Sequence, residues 1–170
     1  MSKVAVLVDE WFEDSEYTKP KNAFIKSGHK IVNVGLKKGK IVQGKRNKAE
    51  VKIDLSIKDA KVDDFDALLI PGGYSPDKLR AYEKPVDFVK GFFNKNKPVF
   101  AICHAPQLLI SAKVLDGKNI TGWKSIIQDI KNAGANFLDK KVVIDDNLVS
   151  SRSPKDLQAF IKKSLEKLEK

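Results

Sequence analysis

The chain has 170 residues, a net charge of +10 and one cysteine, a length that suits a single domain, residues 1–170, burying roughly two-thirds of its unfolded surface. No apolar run approaches the ~20 residues of a membrane span, no export leader is visible, and one cysteine cannot form an internal disulfide, so a cytoplasmic protein with no membrane partner is expected. Only Arg46, Arg80 and Arg152 of the 32 cationic residues are arginines, and the lysines are spread evenly with no recognition motif, which argues against specific nucleic-acid binding; no His/Cys cluster could hold zinc, and no cofactor is expected.

Val4-Ala5-Val6-Leu7-Val8 is a continuous apolar run, as in a central strand covered on both faces. It ends in the acidic stretch Asp9 to Glu16, which leads into a helix carrying Ala23, Phe24 and Ile25. Glu13, Asp14 and Glu16 can cap that helix and offset its dipole. Gly28 closes it, and Ile31-Val32-Asn33-Val34 makes a second strand. His29 falls in the connection and is assigned no chemistry. Residues 37–58 are polar, with short alternating pieces at Ile41-Val42 and Val51 to Leu55, which predicts a small hairpin rather than another βα unit.

A third buried strand, Phe65 to Ile70, stops at Pro71-Gly72-Gly73-Tyr74-Ser75-Pro76-Asp77. Paired glycines after a buried strand allow backbone N–H groups to approach a ligand, although a plain tight turn uses the same residues. A helix around Val86 to Phe93 follows. Then Val99-Phe100-Ala101-Ile102 runs into Cys103-His104-Ala105-Pro106 and a segment with Leu108, Leu109 and Ala112 at helical spacing, reading as strand, sharp turn, helix. A thiol at such a turn stands proud of the sheet with helix N–H groups aimed at it, which favours thiolate. The same arrangement with serine is the nucleophile elbow of α/β hydrolases. A free cysteine at a strand end is otherwise a small buried residue. Neighbours on a regular helix point about 100° apart, so Cys103 and His104 can pair only if the turn is irregular.

Beyond the elbow, Ile120-Thr121 predicts a short strand, and Ile126, Ile127 and Ile130 share a helix face that Gly134 ends. Val142 to Asp145 and Leu148 to Ser151 flank Asp146-Asn147, a hairpin turn. The last helix starts with Ser153 as N-cap, Pro154 and Asp156, and carries Leu157, Phe160, Ile161, Leu165 and Leu168 as its stripe. Alternating strands and helices with apolar strands imply a mainly parallel sheet with helices on both faces, whose ligands bind at the strands' carboxyl ends. The loops at 9–16, 72–77 and 103–106 lie there together, bringing a carboxylate, N–H donors and a thiol to one cleft.

Four stretches make the chain resemble PfpI-type intracellular proteases of the ThiJ/PfpI superfamily: Phe12-Glu13-Asp14; Leu69 to Gly73 with Pro76-Asp77; Ala101 to Leu109; and Ser150-Ser151-Arg152-Ser153-Pro154-Lys155-Asp156-Leu157. The likeness implies a flavodoxin-like three-layer sandwich related to class I glutamine amidotransferase domains, assembled as a homodimer or a larger homo-oligomer. By that likeness Cys103 is the nucleophile, His104 its base or ion-pair partner, and Glu13 the carboxyl beside the sulfur. Gly73 and His104 then supply the oxyanion N–H groups, and the acid that orients the histidine comes from a neighbouring subunit at the position of Asp77. Relatives commonly have Glu at Asp77, Gly at Ala105, and His or Tyr at Trp123.

These readings predict a cysteine-nucleophile enzyme acting on a small carbonyl compound or a peptide, as a glyoxalase or deglycase or as a peptidase or amidase, in stress protection. The alternative is a redox-sensing stress protein whose Cys103 oxidises to sulfinate. Two geometric expectations follow from the likeness: a Glu13 carboxyl oxygen within hydrogen-bonding reach of Cys103, and a Cys103 backbone in a sparsely populated region.

Overall fold

The computed structural model describes residues 1–170. Strand β1 (Lys3–Leu7) leads through the acidic loop to helix α1 (Asp14–Lys26) and strand β2 (Lys30–Gly35). The polar excursion forms the hairpin β3 (Ile41–Gln43) and β4 (Glu50–Lys52), and β5 (Leu55–Ser56) returns to the sheet edge beside β2. Next come β6 (Ala67–Ile70), α2 (Ser75–Leu79), α3 (Glu83–Asn94), β7 (Val99–Ile102) and α4 (Pro106–Ser111). The chain finishes with β8 (Asn119–Ile120), α5 (Ile127–Asn132), β9 (Asn136–Phe137), β10 (Val142–Asp145), β11 (Leu148–Ser151) and α6 (Leu157–Leu168).

The main sheet has the order β10-β11-β7-β6-β1-β2-β5, parallel throughout except for the β10-β11 hairpin at one edge. Alternate residues of each strand point to opposite faces. On one side, Val4, Val6 and Val8 of the first strand segment meet Phe24 of α1 and Phe160 of α6. On the other, Ala5 and Leu7 belong to a core with Phe88 and Phe92 of α3, Leu108 of α4 and Ile130 of α5. The result is the flavodoxin-like three-layer sandwich. Both layers are keyed by aromatic edges: Phe24 meets Phe100 with centroids 5.8 Å apart, and Phe88 meets Phe92 at 5.1 Å.

The order reverses at β1, which has β2 on one side and β6 on the other. At such a point the loops leaving neighbouring strands diverge and open a crevice above the sheet. The loops after β1, β6 and β7 border it.

Two helix starts differ from expectation. None of Glu13, Asp14 and Glu16 caps α1 with its side chain. Asp14 instead accepts backbone N–H bonds from Arg46 at 2.9 Å, Lys48 at 3.1 Å and Ala49 at 2.9 Å, pinning the β3-β4 hairpin loop against α1. Ser153 likewise makes no side-chain cap, because a turn of 3-10 helix at Pro154–Asp156 precedes α6. In its place the buried Asp156 carboxylate receives the N–H of Arg152 at 3.2 Å and its guanidinium at 2.9 and 3.1 Å. In both cases a carboxylate with unpaired N–H groups of a neighbouring loop in reach gains more partners than a cap would give it.

Candidate active site

Cys103 occupies the turn between β7 and α4 with φ of 63°, the left-handed region that costs a residue with a Cβ of order 1–3 kcal/mol and persists where surrounding contacts enforce it. They do so here: the Cys103 N–H donates to the Ser151 carbonyl at 3.0 Å, and its carbonyl accepts from Trp123 N–H at 2.8 Å. The irregular turn folds the next side chain back, and His104 Nδ1 lies 3.3 Å from Cys103 Sγ. The pairing that a regular helix would forbid is therefore made. His104 Nε2 faces Ser125 Oγ at 3.4 Å, a contact between residues 21 positions apart that no local pattern announces.

The carboxyl beside the sulfur is that of Glu16. This corrects the assignment to Glu13, and the reason is helical geometry: Glu13 precedes α1 and its side chain turns out to the hairpin loop, whereas Glu16 lies in the first turn and faces the sheet. Glu13, although buried, is bound to Lys45 Nζ and Arg46 Nε, each at 2.8 Å. Glu16 is fully buried, its Oε1 accepts from Gly72 N–H at 2.9 Å, and its Oε2 has no hydrogen-bond partner. A Cβ on Gly72 would stand 2.5 Å from Glu16 Oε1 and 2.8 Å from Cys103 Cβ. Glycine at that position is what lets the carboxyl and the thiol share the floor of the cleft.

Gly73 has φ of 78°, and a Cβ there would meet the backbone of residues 11–13 at 2.5 to 2.7 Å. The loop after β6 is stitched to the loop after β1 by Glu13 N–H to Gly72 carbonyl at 3.1 Å and Tyr74 N–H to Trp11 carbonyl at 2.8 Å. The backbone N–H groups of His104 and Gly73 are both directed at Cys103. These are the two donors assigned to an oxyanion, and they converge on the sulfur.

Electrostatics on this floor follow from burial. Removal from water lifts the Glu16 pKa from 4.5 to about 8, with the Glu13 charge adding to the rise. Burial also pushes the Cys103 thiol up, helped by the Glu16 carboxylate and opposed by the His104 N–H, the Lys45 charge and the Gly73 N–H. Because Glu16 keeps its proton at neutral pH, its share of that push is absent there. Cys103 is 7% exposed, recessed rather than proud, so the resting group is a thiol and not the free-standing thiolate that the elbow suggested. His104 is held below the ordinary imidazole value by burial and by Lys45, with Asp77 opposing. It is neutral at pH 7 and free to accept a proton.

The cleft beside Gly73 and His104 has a volume of about 310 Å³ and is lined by these two with Lys45, Tyr74, Asp77 and Gln107. Asp77 lies at its rim on α2, mostly exposed, with its carboxylate 3.1 Å from Arg80 Nε. It influences His104 through space within the same chain and makes no hydrogen bond to it. A second hollow of about 420 Å³ lies beside Trp123 and Arg152, but Arg152 is engaged by Asp156 and by Asp139 at 2.9 Å. The Ser-Ser-Arg-x-Pro-x-Asp-Leu element thus holds β11 and α6 together. Sequence reasoning missed Glu16, Lys45 and Arg46; the one available signal for Glu16 was its place a helical turn beyond Glu13.

A family model described as the DJ-1/PfpI family matches residues 2–167. The chain belongs to the DJ-1/PfpI family. Its relatives within it include general stress protein 18 of Bacillus subtilis, 55% identical over 99% of this chain and 98% of that one. Protein/nucleic acid deglycase 2 of Escherichia coli is 52% identical over 96% of this chain and 95% of that protein. Among solved structures, a two-domain protein from Anabaena variabilis with DJ-1/ThiJ/PfpI-like and ferritin-like domains superposes with a TM-score of 0.98 at 38% identity. The match covers 99% of this chain and 48% of that one, so the DJ-1/PfpI chain described here spans about half the length of the two-domain protein. No helix is long and apolar enough to cross a membrane.

Proposed function

We propose that this DJ-1/PfpI protein is a cysteine-nucleophile enzyme that attacks small carbonyl compounds, or their adducts on protein side chains, in cytoplasmic stress protection. The observation that carries this reading is the convergence on one sulfur of a neutral imidazole at 3.3 Å and two backbone N–H donors. The name of the Escherichia coli relative as a deglycase supports the carbonyl substrate. So does the size of the cleft, about 310 Å³, which suits a small molecule or one side chain.

In the shared first step, Cys103 Sγ bonds to the carbonyl carbon while the thiol proton passes to His104 Nδ1. The C=O π pair moves onto oxygen, where the Gly73 and His104 N–H groups stabilise it. With an aldehyde, return of the proton from His104 to that oxygen completes a hemithioacetal. Glu16, protonated on the cleft floor, is the second acid available to the adduct. The exposed Trp11 and Tyr74 stand edge to face beside the cleft, with centroids 6.3 Å apart. That apolar rim supports assembly as a homodimer, with Asp77 facing the neighbouring subunit.

The test is methylglyoxal consumption by wild type and Cys103→Ser. Loss of at least about 10³-fold in the variant is expected for removal of a nucleophile, and equal rates sink the proposal. A second reading, a sensor that stops at sulfinate, is favoured by one observation: the lone cysteine beside an acid that keeps its proton to about pH 8. Mild peroxide followed by mass spectrometry separates the two. Stoichiometric gain of two oxygens without any carbonyl or peptide turnover supports the sensor.

A further inference from the structure

The β3-β4 hairpin carries Lys45 and Arg46 from outside the βα framework to the mouth of the cleft. Its loop is fastened at both ends. Lys45 N–H donates to the Phe12 carbonyl at 2.9 Å, Gly44 N–H to the Ala49 carbonyl at 2.9 Å, and Asp14 receives the N–H groups of residues 46, 48 and 49. A loop held this firmly fixes the start of the Lys45 side chain. Its ammonium group is then placed by Glu13 at 2.8 Å and lies 5.9 Å from the centre of the Tyr74 ring.

Glu13 does not cancel the charge of this mouth. Its one carboxylate serves both Lys45 and Arg46, while the Asp14 carboxylate, which also acts on Arg46, is turned under the loop onto backbone N–H groups, so Lys45 is the cation left lining the cleft. Burial works against the Lys45 cation, but the hydrogen bond and charge of Glu13 outweigh it and raise its pKa above the ordinary lysine value. Asp77, across the cleft, is paired with Arg80, and Glu16 and His104 are uncharged at neutral pH. The side chain of Lys45 is 30% exposed, so its ammonium lines the cleft while keeping donors unused.

We propose that Lys45 is a specificity-determining residue that binds an anionic group next to the reacting carbonyl, so that the cleft favours 2-oxo acids and other carboxylate-bearing carbonyl compounds over neutral ones. The inference rests on the reading of Cys103 as nucleophile and deepens it. A carboxylate on the carbon next to the carbonyl lies within a few bond lengths of the electrophilic centre. The Lys45 charge acts on the Cys103 sulfur, and Lys45 lines the cleft together with Gly73 and His104, which makes its ammonium the partner for such a carboxylate. Lysine suits the task as a compact charge on a flexible stem, and Lys45 lines the cleft whereas the side chain of Arg46 is 59% exposed outside it.

The single cysteine allows a clean test with two reagents of nearly equal size, iodoacetate and iodoacetamide, which differ by one negative charge. Thiolate fraction affects both equally, so the ratio of their second-order rates reports the charge of the cleft alone. The wild-type ratio is expected to exceed that of free cysteine and to fall about tenfold in Lys45→Met, while Lys45→Arg keeps it within about threefold. Titration of oxamate, an unreactive 2-oxo acid analogue, followed by amide NMR, should show a Kd about tenfold weaker for Lys45→Met than for wild type. A ratio or a Kd unmoved by Lys45→Met overturns the assignment while leaving the nucleophile in place. If Cys103 resists both reagents, the nucleophile reading fails instead, and the oxamate titration alone decides the role of Lys45.

Discussion

Two glutamates one helical turn apart divide the cleft into a mouth and a floor. Glu13 and Glu16 are the same residue type, and both are buried, at 3% and 0% exposure. Glu13 meets two cations and works as an ion-pair hub. Glu16 meets a glycine N–H and a thiol, and burial keeps it protonated to about pH 8. What separates them is the neighbour each side chain reaches, which depends on whether it precedes the helix or lies inside its first turn. Burial alone does not fix the charge of a carboxylate; the availability of a counter-ion does.

The comparison can be broken most forcefully at the floor. Replacing Cys103 by Ser should abolish iodoacetamide labelling altogether, since no other cysteine exists, and lower carbonyl turnover by at least about 10³-fold. Activity surviving in that variant would move the chemistry to the mouth.

Next in size is the pH dependence of stability set by Glu16. A carboxyl with a pKa of about 8 in the fold against 4.5 when unperturbed binds more protons folded than unfolded between those values. Its contribution is therefore complete below about pH 4.5 and is lost as pH rises toward about 8, at up to about 1.4 kcal/mol per pH unit. Thermal melts of Glu16→Gln, which keeps the shape without the titration, should gain on wild type from about pH 5 to 8. Parallel curves for wild type and Glu16→Gln would mean that Glu16 is ionised in the fold.

Smaller is the effect of Gly72→Ala, whose Cβ would lie 2.5 Å from Glu16 Oε1 and 2.9 Å from the Ile102 carbonyl oxygen. A destabilisation of about 1–3 kcal/mol is expected, together with slower alkylation of Cys103. Wild-type stability in urea would show that the floor can widen at no cost. Smallest of all, Arg46→Ala should leave the iodoacetamide rate within about twofold, because its side chain is 59% exposed and solvent screens it. A larger drop would make Arg46 part of the floor's chemistry.

Much of the fold could be read from the chain. Continuous apolar strands at Val4 to Val8, Leu68 to Ile70 and Val99 to Ile102 require cover on both faces, which dictates a parallel sheet between two helical layers. The hairpin at residues 41–52 and the turn at Asp146-Asn147 were equally visible. In the site, Cys103 at a strand-to-helix turn and the glycines after β6 were local signals, and the strained backbone at Cys103, expected from the family likeness, is present. The exchange of Glu13 for Glu16 was not visible, because three acids within four residues look alike until the helix start is fixed. Nor was Lys45, one of 29 lysines, since only the tethering of its hairpin to Asp14 singles it out.

By itself, then, the sequence determined the layered sheet, the elbow and the thiol, because periodicity and local turn chemistry are properties of neighbours along the chain. Tertiary structure alone decided which carboxyl touches the sulfur, which lysine faces the cleft and which groups hold their protons, because those depend on contacts between residues dozens of positions apart and on the water they exclude.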